Sequence, residues 1–279
     1  MAGEVAYATL AQVRTEVKAN ATTSDSVLLQ MARWASAAID NRAGTTYAPR
    51  RASRFVDPRE ATDPGARHQL WLPSFALAVI AVTDVDGTTA LVENTDFAVW
   101  PRGDVPFVQL VRAGGYSWMP GSDPVLDLVE VEAYWGYRAL YSEAWSQLTL
   151  INEASNITSS ETSFDVDSAA LISPGMLLRI ESEYVVVDSI TTNTLTVTRG
   201  VRGTTAAAHN DNTAVFGFAP EPAAVRACAR LAGYMHQRIG AFESTTYDGV
   251  ATVALPPAIP ADALFLLNDL PRGVWPRAV

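Results

Sequence analysis

The sequence is poor in the residues that build crosslinked or metal-binding sites. It has one cysteine, Cys228, and three histidines, His68, His209 and His236, in 279 residues. A single cysteine excludes an intrachain disulfide and is typical of a reducing compartment. The histidines fall in three separate segments, and none has a second His or Cys at metal-ligand spacing, so no metal is expected.

Long apolar runs and basic side chains are also scarce. No run of about eighteen apolar residues occurs, so no membrane-spanning helix is expected. The first residues lack the charged and apolar regions of a secretory signal. The 20 basic residues, of which only Lys18 is a lysine, face 30 acidic ones, and the formal net charge is −10. This balance argues against general affinity for nucleic acid, because phosphate binding needs clustered cations, but it permits a surface past which nucleic acid slides.

Helical patterns stand at the two ends of the chain. Thr9 and Gln12 have the spacing of a capping box, and apolar residues then recur every three or four positions up to about Gly44. The same periodicity returns after Pro222, and a last short helix is predicted over 262–270.

Two β-rich stretches lie between these ends. In the first, apolar residues alternate with Glu130 and Glu132 over 129–135, which predicts a strand with one buried face. The two carboxylates could suit hydrolysis, but an exposed strand face explains them equally well. The second stretch, 163–218, has short alternating segments between tight-turn signals. Such strands must close or stack to hide their edges, which predicts a small barrel or curled sheet.

The expected fold class is therefore α+β. A small helical bundle is formed by the N- and C-terminal segments, with a β-rich region and a second small β-barrel-like module inserted between them. The predicted domains are a helical core from 1–50 and 220–279, a β-rich insertion at 51–150, and a small β-module at 151–219.

Arginines provide the candidate partner contacts. One segment concentrates basic charge, with Arg50, Arg51, Arg54, Arg59 and Arg67. Without interleaved aromatic residues this is a weak nucleic-acid signal, and a contact with an acidic partner subunit explains it at least as well.

A second arginine pair, Arg199 and Arg202, stands in the segment Arg-Gly-Val-Arg-Gly-Thr. The segment lacks the spacing of a phosphate-binding loop, and its glycines favour a tight turn. Either guanidinium could still bind a carboxylate of a neighbour.

The order of the helical and β segments carries a family resemblance. The late helix opens with Pro-Ala-Ala-Val-Arg-Ala-Cys-Ala-Arg-Leu-Ala from Pro222, after an early helical pair. The β-rich region contains Leu-Trp-Leu-Pro-Ser from Leu70, Asp86-Gly87-Thr88, and Glu-Val-Glu-Ala-Tyr-Trp-Gly-Tyr from Glu130. With the closing Pro-Ala-Asp-Ala-Leu from Pro260, this order resembles the head–tail connector (adaptor) proteins of tailed bacteriophages, in a long form. The stretch from Pro174 to Thr204 is similar to small β-modules of several virion proteins.

This resemblance implies a structural virion protein with no active site and no cofactor. It implies a homo-oligomeric ring, typically of twelve copies, at the head–tail interface, after synthesis in the host cytoplasm. The ring would dock on the portal protein and receive the next neck, stopper or tail protein, with the capsid as a further possible partner. DNA would pass through its lumen during packaging and ejection without sequence-specific binding, and an acidic chain suits such a lumen. No membrane is involved.

The apolar tail and the second β-module have expected roles within this resemblance. Val274 and Trp275 are candidates for insertion into the portal, since a buried tryptophan commonly contributes at least about 2 kcal/mol to an interface. A tail folded back on its own helices is the alternative. The module at 163–218 would decorate the ring or contact the capsid, with Arg199 and Arg202 near that contact.

A different class of protein is kept as the alternative function. In it, the chain is a phage tail or surface protein whose β-module recognises a carbohydrate or a host protein. Exposed aromatic residues would support it, with Trp100, Tyr116 and Trp118 as candidates. Enzymatic activity is not expected, because no nucleophile, base or metal pattern is visible.

Overall fold

Helices and antiparallel sheets make up the residues that the computed structural model describes, which are 4–17, 24–58, 68–84, 89–103, 105–114, 118, 129–243 and 261–272. The expected α+β class is confirmed, with four helices and two antiparallel sheets among these residues. The chain divides into two compact units. The first unit comprises Met1–Ala43 and Trp145–Leu270, and the second comprises Gly44–Ala144 and Pro271–Val279. No helix in the described ranges is long and apolar enough to span a bilayer.

The helices of the first unit come from opposite ends of the chain. They are α1 (Leu10–Val17), α2 (Asp25–Ala43), α3 (Pro222–Glu243) and α4 (Ala261–Asn268). The predicted capping box of α1 is confirmed, because the Thr9 N–H donates to Gln12 Oε1 at 2.8 Å and the Gln12 N–H donates to Thr9 Oγ1 at 3.3 Å. These two bonds satisfy N–H groups that have no acceptor inside the helix.

Helix α3 contacts all three other helices. Small residues allow this close approach, and Cys228 is one of them: its Sγ lies 3.4 Å from both Ser36 Oγ and the Ala32 carbonyl oxygen on α2. Burial raises the pKa of the Cys228 thiol. The single cysteine is thus an unreactive packing residue between two helices.

The second sheet of the chain belongs to the same unit as these helices. Its strands are β7 (Trp145–Leu150), β8 (Ser163–Asp165), β9 (Leu177–Ile180), β10 (Glu183–Thr191), β11 (Thr194–Thr198) and β12 (Ala214–Phe218), in the order β7-β12-β9-β10-β11-β8. Just beyond β7, the Asn152 N–H donates to the Asp165 carbonyl at 2.9 Å, and the Asp167 N–H donates to the Leu150 carbonyl at 3.1 Å. These bonds join the first and last strands, so the edges of the sheet are partly paired with each other.

The other sheet forms the second unit. Its strands are β1 (Arg50–Val56), β2 (Gln69–Thr83), β3 (Ala90–Leu91), β4 (Phe97–Trp100), β5 (Phe107–Arg112) and β6 (Val129–Trp135), in the order β1-β6-β2-β5-β4, with β3 beside β2. The alternation predicted for 129–135 is confirmed, since Val129, Val131, Ala133 and Trp135 are all buried. The predicted turn at Asp86–Gly87 lies outside the described residues.

The predicted domains and these two compact units are defined by different criteria. The unit boundaries follow contacts, and they place 151–219 with the helices. The division into a helical core, a β-rich insertion and a small β-module concerns parts that fold by themselves, and it stays a prediction.

Gly175 lies where the second sheet meets the segment that precedes α1. Its φ is +85°, its carbonyl accepts the Ala6 N–H at 2.9 Å, and its own N–H donates to the Val187 carbonyl at 2.7 Å. A Cβ at this position would lie 2.7 Å from both Ala6 Cβ and Leu29 Cδ1. Glycine is therefore required both for its backbone conformation and for the close approach of the two segments.

Gly175→Ala is expected to lower the free energy of unfolding of the first unit by about 2–4 kcal/mol, because left-handed strain adds to overpacking. Gly103 is the matched control, since its φ is +73° and nothing lies within 4 Å of a Cβ built there. Gly103→Ala should cost only the strain, about 1–2 kcal/mol. Urea unfolding followed by circular dichroism measures both losses. Equal losses would show that the contact with Ala6 and Leu29 contributes nothing.

Candidate functional site

A buried ion pair stands where β10 begins and β11 ends in the second sheet. Glu183 begins β10 with a side chain that is 0 % exposed, and Arg199, which directly follows β11, is 5 % exposed. Because β10 and β11 are adjacent antiparallel strands, the two side chains meet. Arg199 Nε donates to Glu183 Oε1 at 2.7 Å, and Nη2 donates to Oε2 at 2.6 Å. This bidentate geometry is the strongest form of a carboxylate–guanidinium contact.

The Glu183 carboxylate receives three further hydrogen bonds. Its oxygens accept the N–H groups of Gly200 at 2.9 Å and Ala207 at 3.0 Å, and His209 Nε2 lies 2.9 Å from Oε2. Burial by itself would raise the pKa of Glu183, but the bonds from Arg199, His209 and the two backbone groups outweigh it and lower that pKa to about 2. The carboxylate is therefore ionised at neutral pH.

The Arg199 guanidinium is also fully used inside the chain. Its Nη1 donates to the carbonyls of Thr158 at 3.1 Å and Glu161 at 2.9 Å, and its Nη2 also donates to the Ala207 carbonyl. The carboxylate that Arg199 binds thus belongs to its own chain. This corrects the expectation that Arg199 contacts a neighbour, because a buried guanidinium without a spare donor cannot reach one.

His209 lies between two carboxylates and is 2 % exposed. Its Nδ1 is 2.7 Å from Glu181 Oε2 while its Nε2 faces Glu183. Burial lowers the pKa of His209, but the hydrogen bonds to Glu183 and Glu181 outweigh it and raise that pKa above its ordinary value. Both ring nitrogens donate only when the imidazole is protonated, so the geometry fits a charged histidine.

These four residues, Glu181, Glu183, Arg199 and His209, form what we call the buried ion cluster, in which Glu181 is the one member with an exposed side chain, at 60 %. Two carboxylates face one guanidinium and one imidazolium, so their charges balance. The ionised Glu183 has no proton to give and no opening to solvent, which favours a structural role over general acid catalysis. No group of three or more His, Cys, Asp or Glu residues suited to hold a metal ion is found in the described part of the chain.

The turn that follows Arg199 has the predicted form. Gly200 and Gly203 have φ values of +59° and +83°, and Arg202 has +58°. The Thr204 N–H donates to the Val201 carbonyl at 3.1 Å, and the turn interpretation is confirmed. The Arg202 side chain is half-buried, and its contact with a partner stays a prediction.

Arg50, Arg51 and Arg54 lie on β1, the outer strand of the first sheet. Arg51 Nε donates to Glu132 Oε1 at 2.7 Å in a half-exposed pair, and the Arg54 guanidinium lies 4.6 Å from the centre of the Trp135 ring. Burial, and then the charge of Arg50, lower the pKa of Arg54. Arg50 itself is exposed. Arg50 and Arg54 lie on one face of β1 and Arg51 lies on the opposite face beside Glu132, and the contact of the three with an acidic subunit stays a prediction.

The remaining candidates are aromatic or apolar. Val274 and Trp275 lie outside the described residues, as does Tyr116. Trp100 is 49 % exposed, but Trp118 is fully buried and its Nε1 donates to the His68 carbonyl at 3.3 Å. Trp118 is therefore a core residue rather than an exposed binding residue.

Comparison with known proteins identifies no relative. No protein-family model matches the chain, and no curated protein or solved structure is significantly similar to it. Function must therefore be inferred from the residues and their geometry.

Glu183→Gln is expected to lower the free energy of unfolding by about 3–5 kcal/mol, because it leaves the buried Arg199 without its counter-charge. Glu132→Gln is the matched control, since it breaks a half-exposed arginine–carboxylate pair and should cost about 0–1 kcal/mol. Urea unfolding of the two variants measures both losses. Similar losses would refute the stabilising role of the buried ion cluster.

The buried ion cluster also predicts how stability depends on pH. The folded-state pKa of Glu183 is lowered from 4.5 to about 2, so its contribution is present above pH 4.5 and is lost as the pH falls towards 2. The pKa of His209 is raised from 6.5, so its contribution is present below pH 6.5 and is lost as the pH rises through the raised value. Melting temperatures of wild type and His209→Gln, measured across pH, should differ most near pH 5–6 and converge in alkali. A constant difference across that range would contradict the assignment.

Proposed function

We propose that the chain is a structural virion protein of the head–tail connector class. In this proposal, identical subunits form a ring, typically of twelve, that sits beneath the portal, joins head to tail and passes DNA through its lumen. The helices form the small bundle from which the ring is built, and the two sheets are insertions between its halves. The joined edges of the second sheet support a small barrel-like module.

The observation that carries the proposal is the meeting of the two chain ends. Ser36 on α2 contacts Cys228 on α3 across 192 positions of sequence. Arg230 on α3 lies 3.3 Å from Glu16 on α1 and 2.5 Å from Asp262 on α4. Helices from the two ends of the chain that pack together support the proposal that the β-rich segments between them are insertions. This is the arrangement that the connector resemblance implies.

The charges of the chain support the same proposal. A closed ring needs two different surfaces on each subunit that fit one another. Arg50, Arg51 and Arg54 stand on one outer strand of a chain with a net charge of −10, and an acidic surface of the next subunit would be complementary to them. The buried ion cluster is satisfied within the chain, which favours a stabilising role for the second sheet over a chemical one.

The alternative function, recognition of a carbohydrate or a host protein through the second β-module, also has an observation in its favour. The Arg179 guanidinium lies 4.8 Å from the centre of the Trp145 ring and 4.9 Å from that of Phe216. All three side chains are half-buried. Aromatic rings held in place on a sheet by a cation are suited to stacking against a ligand.

Oligomeric state distinguishes the two functions. Native mass spectrometry and electron microscopy of the purified chain, alone and with the portal protein of the same virus, should show closed rings of one subunit number in at least one condition. A chain that stays monomeric in both conditions would exclude the connector function. Binding of the same monomer to a glycan array, lost in Trp145→Ala, would then support the alternative.

Native mass spectrometry with the portal protein also tests whether the tail makes the portal contact. Deleting residues 272–279, which contain Val274 and Trp275, is expected to abolish binding to the portal and to leave the fold and the ring intact, because a tryptophan anchor can dominate an interface. Unchanged binding of the shortened chain would assign the portal contact to another surface.

A further inference from the structure

An apolar cleft lies within the first unit, apart from the buried ion cluster. It has a volume of about 670 Å³ and opens between the segment that precedes α1, the second sheet and the first turns of α3. Sites that bind ligands commonly have volumes of about 300–1,000 Å³. The apolar side chains that line it include Val5, Leu148, Met176, Phe218 and Val225.

Three polar side chains that line the cleft form no side-chain hydrogen bond or ion pair with the described residues. Ser146, Ser173 and Arg226 line the cleft and are at least partly exposed, and none has a side-chain hydrogen bond or ion pair there. The neighbouring polar groups are already engaged, since Glu16 pairs with Arg230 and the Thr15 hydroxyl donates to the Ala11 carbonyl. An apolar cleft with two available hydroxyls and one available cation has the composition of a binding site.

The positive charge of Arg226 favours a ligand with an anionic group. Arg226 lies near the beginning of α3, whose first turn contains no acidic side chain. The backbone dipoles at that end of the helix contribute a positive potential near the guanidinium, which Glu221, directly before the helix, partly offsets. A carboxylate is the group that a guanidinium binds best.

The hydroxyls decide between a lipid and a peptide. The chain of a fatty acid would cover Ser146 and Ser173 and offer them no partner, and a buried hydroxyl without a partner destabilises a complex. The N–H and carbonyl groups of an extended peptide can satisfy both hydroxyls while its side chains occupy the apolar surface.

We propose that this cleft binds an extended apolar segment of another protein chain, with an Asp or Glu of that segment paired to Arg226. The inference goes beyond the ring proposal and does not depend on it, since the cleft lies within one unit of one subunit.

Selection from a yeast-displayed library of random dodecapeptides against the full chain tests the proposal. The enriched peptides should combine apolar residues with one acidic residue. For a synthetic fluorescein-labelled peptide of this set, fluorescence polarisation should show that Arg226→Glu weakens binding at least about tenfold. A peptide with Lys in place of its acidic residue should bind Arg226→Glu better than it binds wild type. Arg102→Glu makes the same charge change on an exposed arginine of the other unit, and it should leave binding unchanged.

Blocking the cleft provides a second test that does not involve charge. Ser146→Trp is expected to abolish binding of the labelled peptide, whereas Ser53→Trp, at an exposed strand position of the other unit, should not. Melting temperatures close to that of wild type show that the variants are folded. The proposal is overturned if no peptide is enriched, if Arg226→Glu and Ser146→Trp bind like wild type, or if oleate binds the wild-type cleft and the peptides do not.

Discussion

The second sheet depends on the buried charge of Glu183. A carboxylate removed from water is stable only with counter-charges and hydrogen bonds around it, and here five donors from Arg199, Gly200, Ala207 and His209 converge on it. Because the carboxylate is fully buried, the loss of any one donor leaves part of its charge without compensation. The strand order, the turn after Arg199 and the position of His209 are therefore fixed together.

Two contacts extend this constraint to the helices. Arg33 on α2 lies 3.0 Å from Asp188 on β10, and Asp188 also accepts the Thr198 hydroxyl at 2.6 Å. At Gly175 the backbone of the sheet meets the segment before α1 without room for a side chain. An ion pair and a close backbone approach together resist sliding between the two layers. In the proposed ring, the second sheet would thus move with the helices that form the subunit contacts.

The sequence predicts the local features of this fold and misses those that need distant partners. The capping box at Thr9 and the alternation at 129–135 depend on neighbours a few positions away, and both are confirmed. In the second sheet the run 184–187 is buried on both faces, so its apolar pattern does not show which side chains face Leu195 and Val197, and the register that pairs Val187 with Val197 is set by the neighbouring strand. The buried ion cluster gives no local pattern, since Glu183 and His209 are 26 positions apart. A glutamate directly before the apolar run 184–187 is the local signal that the sequence offers.

The arginines show why candidate contacts cannot be ranked by residue type. Arg199 and Arg51 both bind a glutamate through Nε at 2.7 Å, yet one side chain is 5 % exposed and the other 39 %. In the buried pair the partners hold the fold, because neither charge can return to water without unfolding the sheet. In the half-exposed pair, water and salt screen the attraction, so an incoming carboxylate can replace Glu132 at little cost. A surface that exchanges partners needs arginines of the second kind, so in the proposed ring we expect the subunit contacts at β1 rather than at the buried ion cluster.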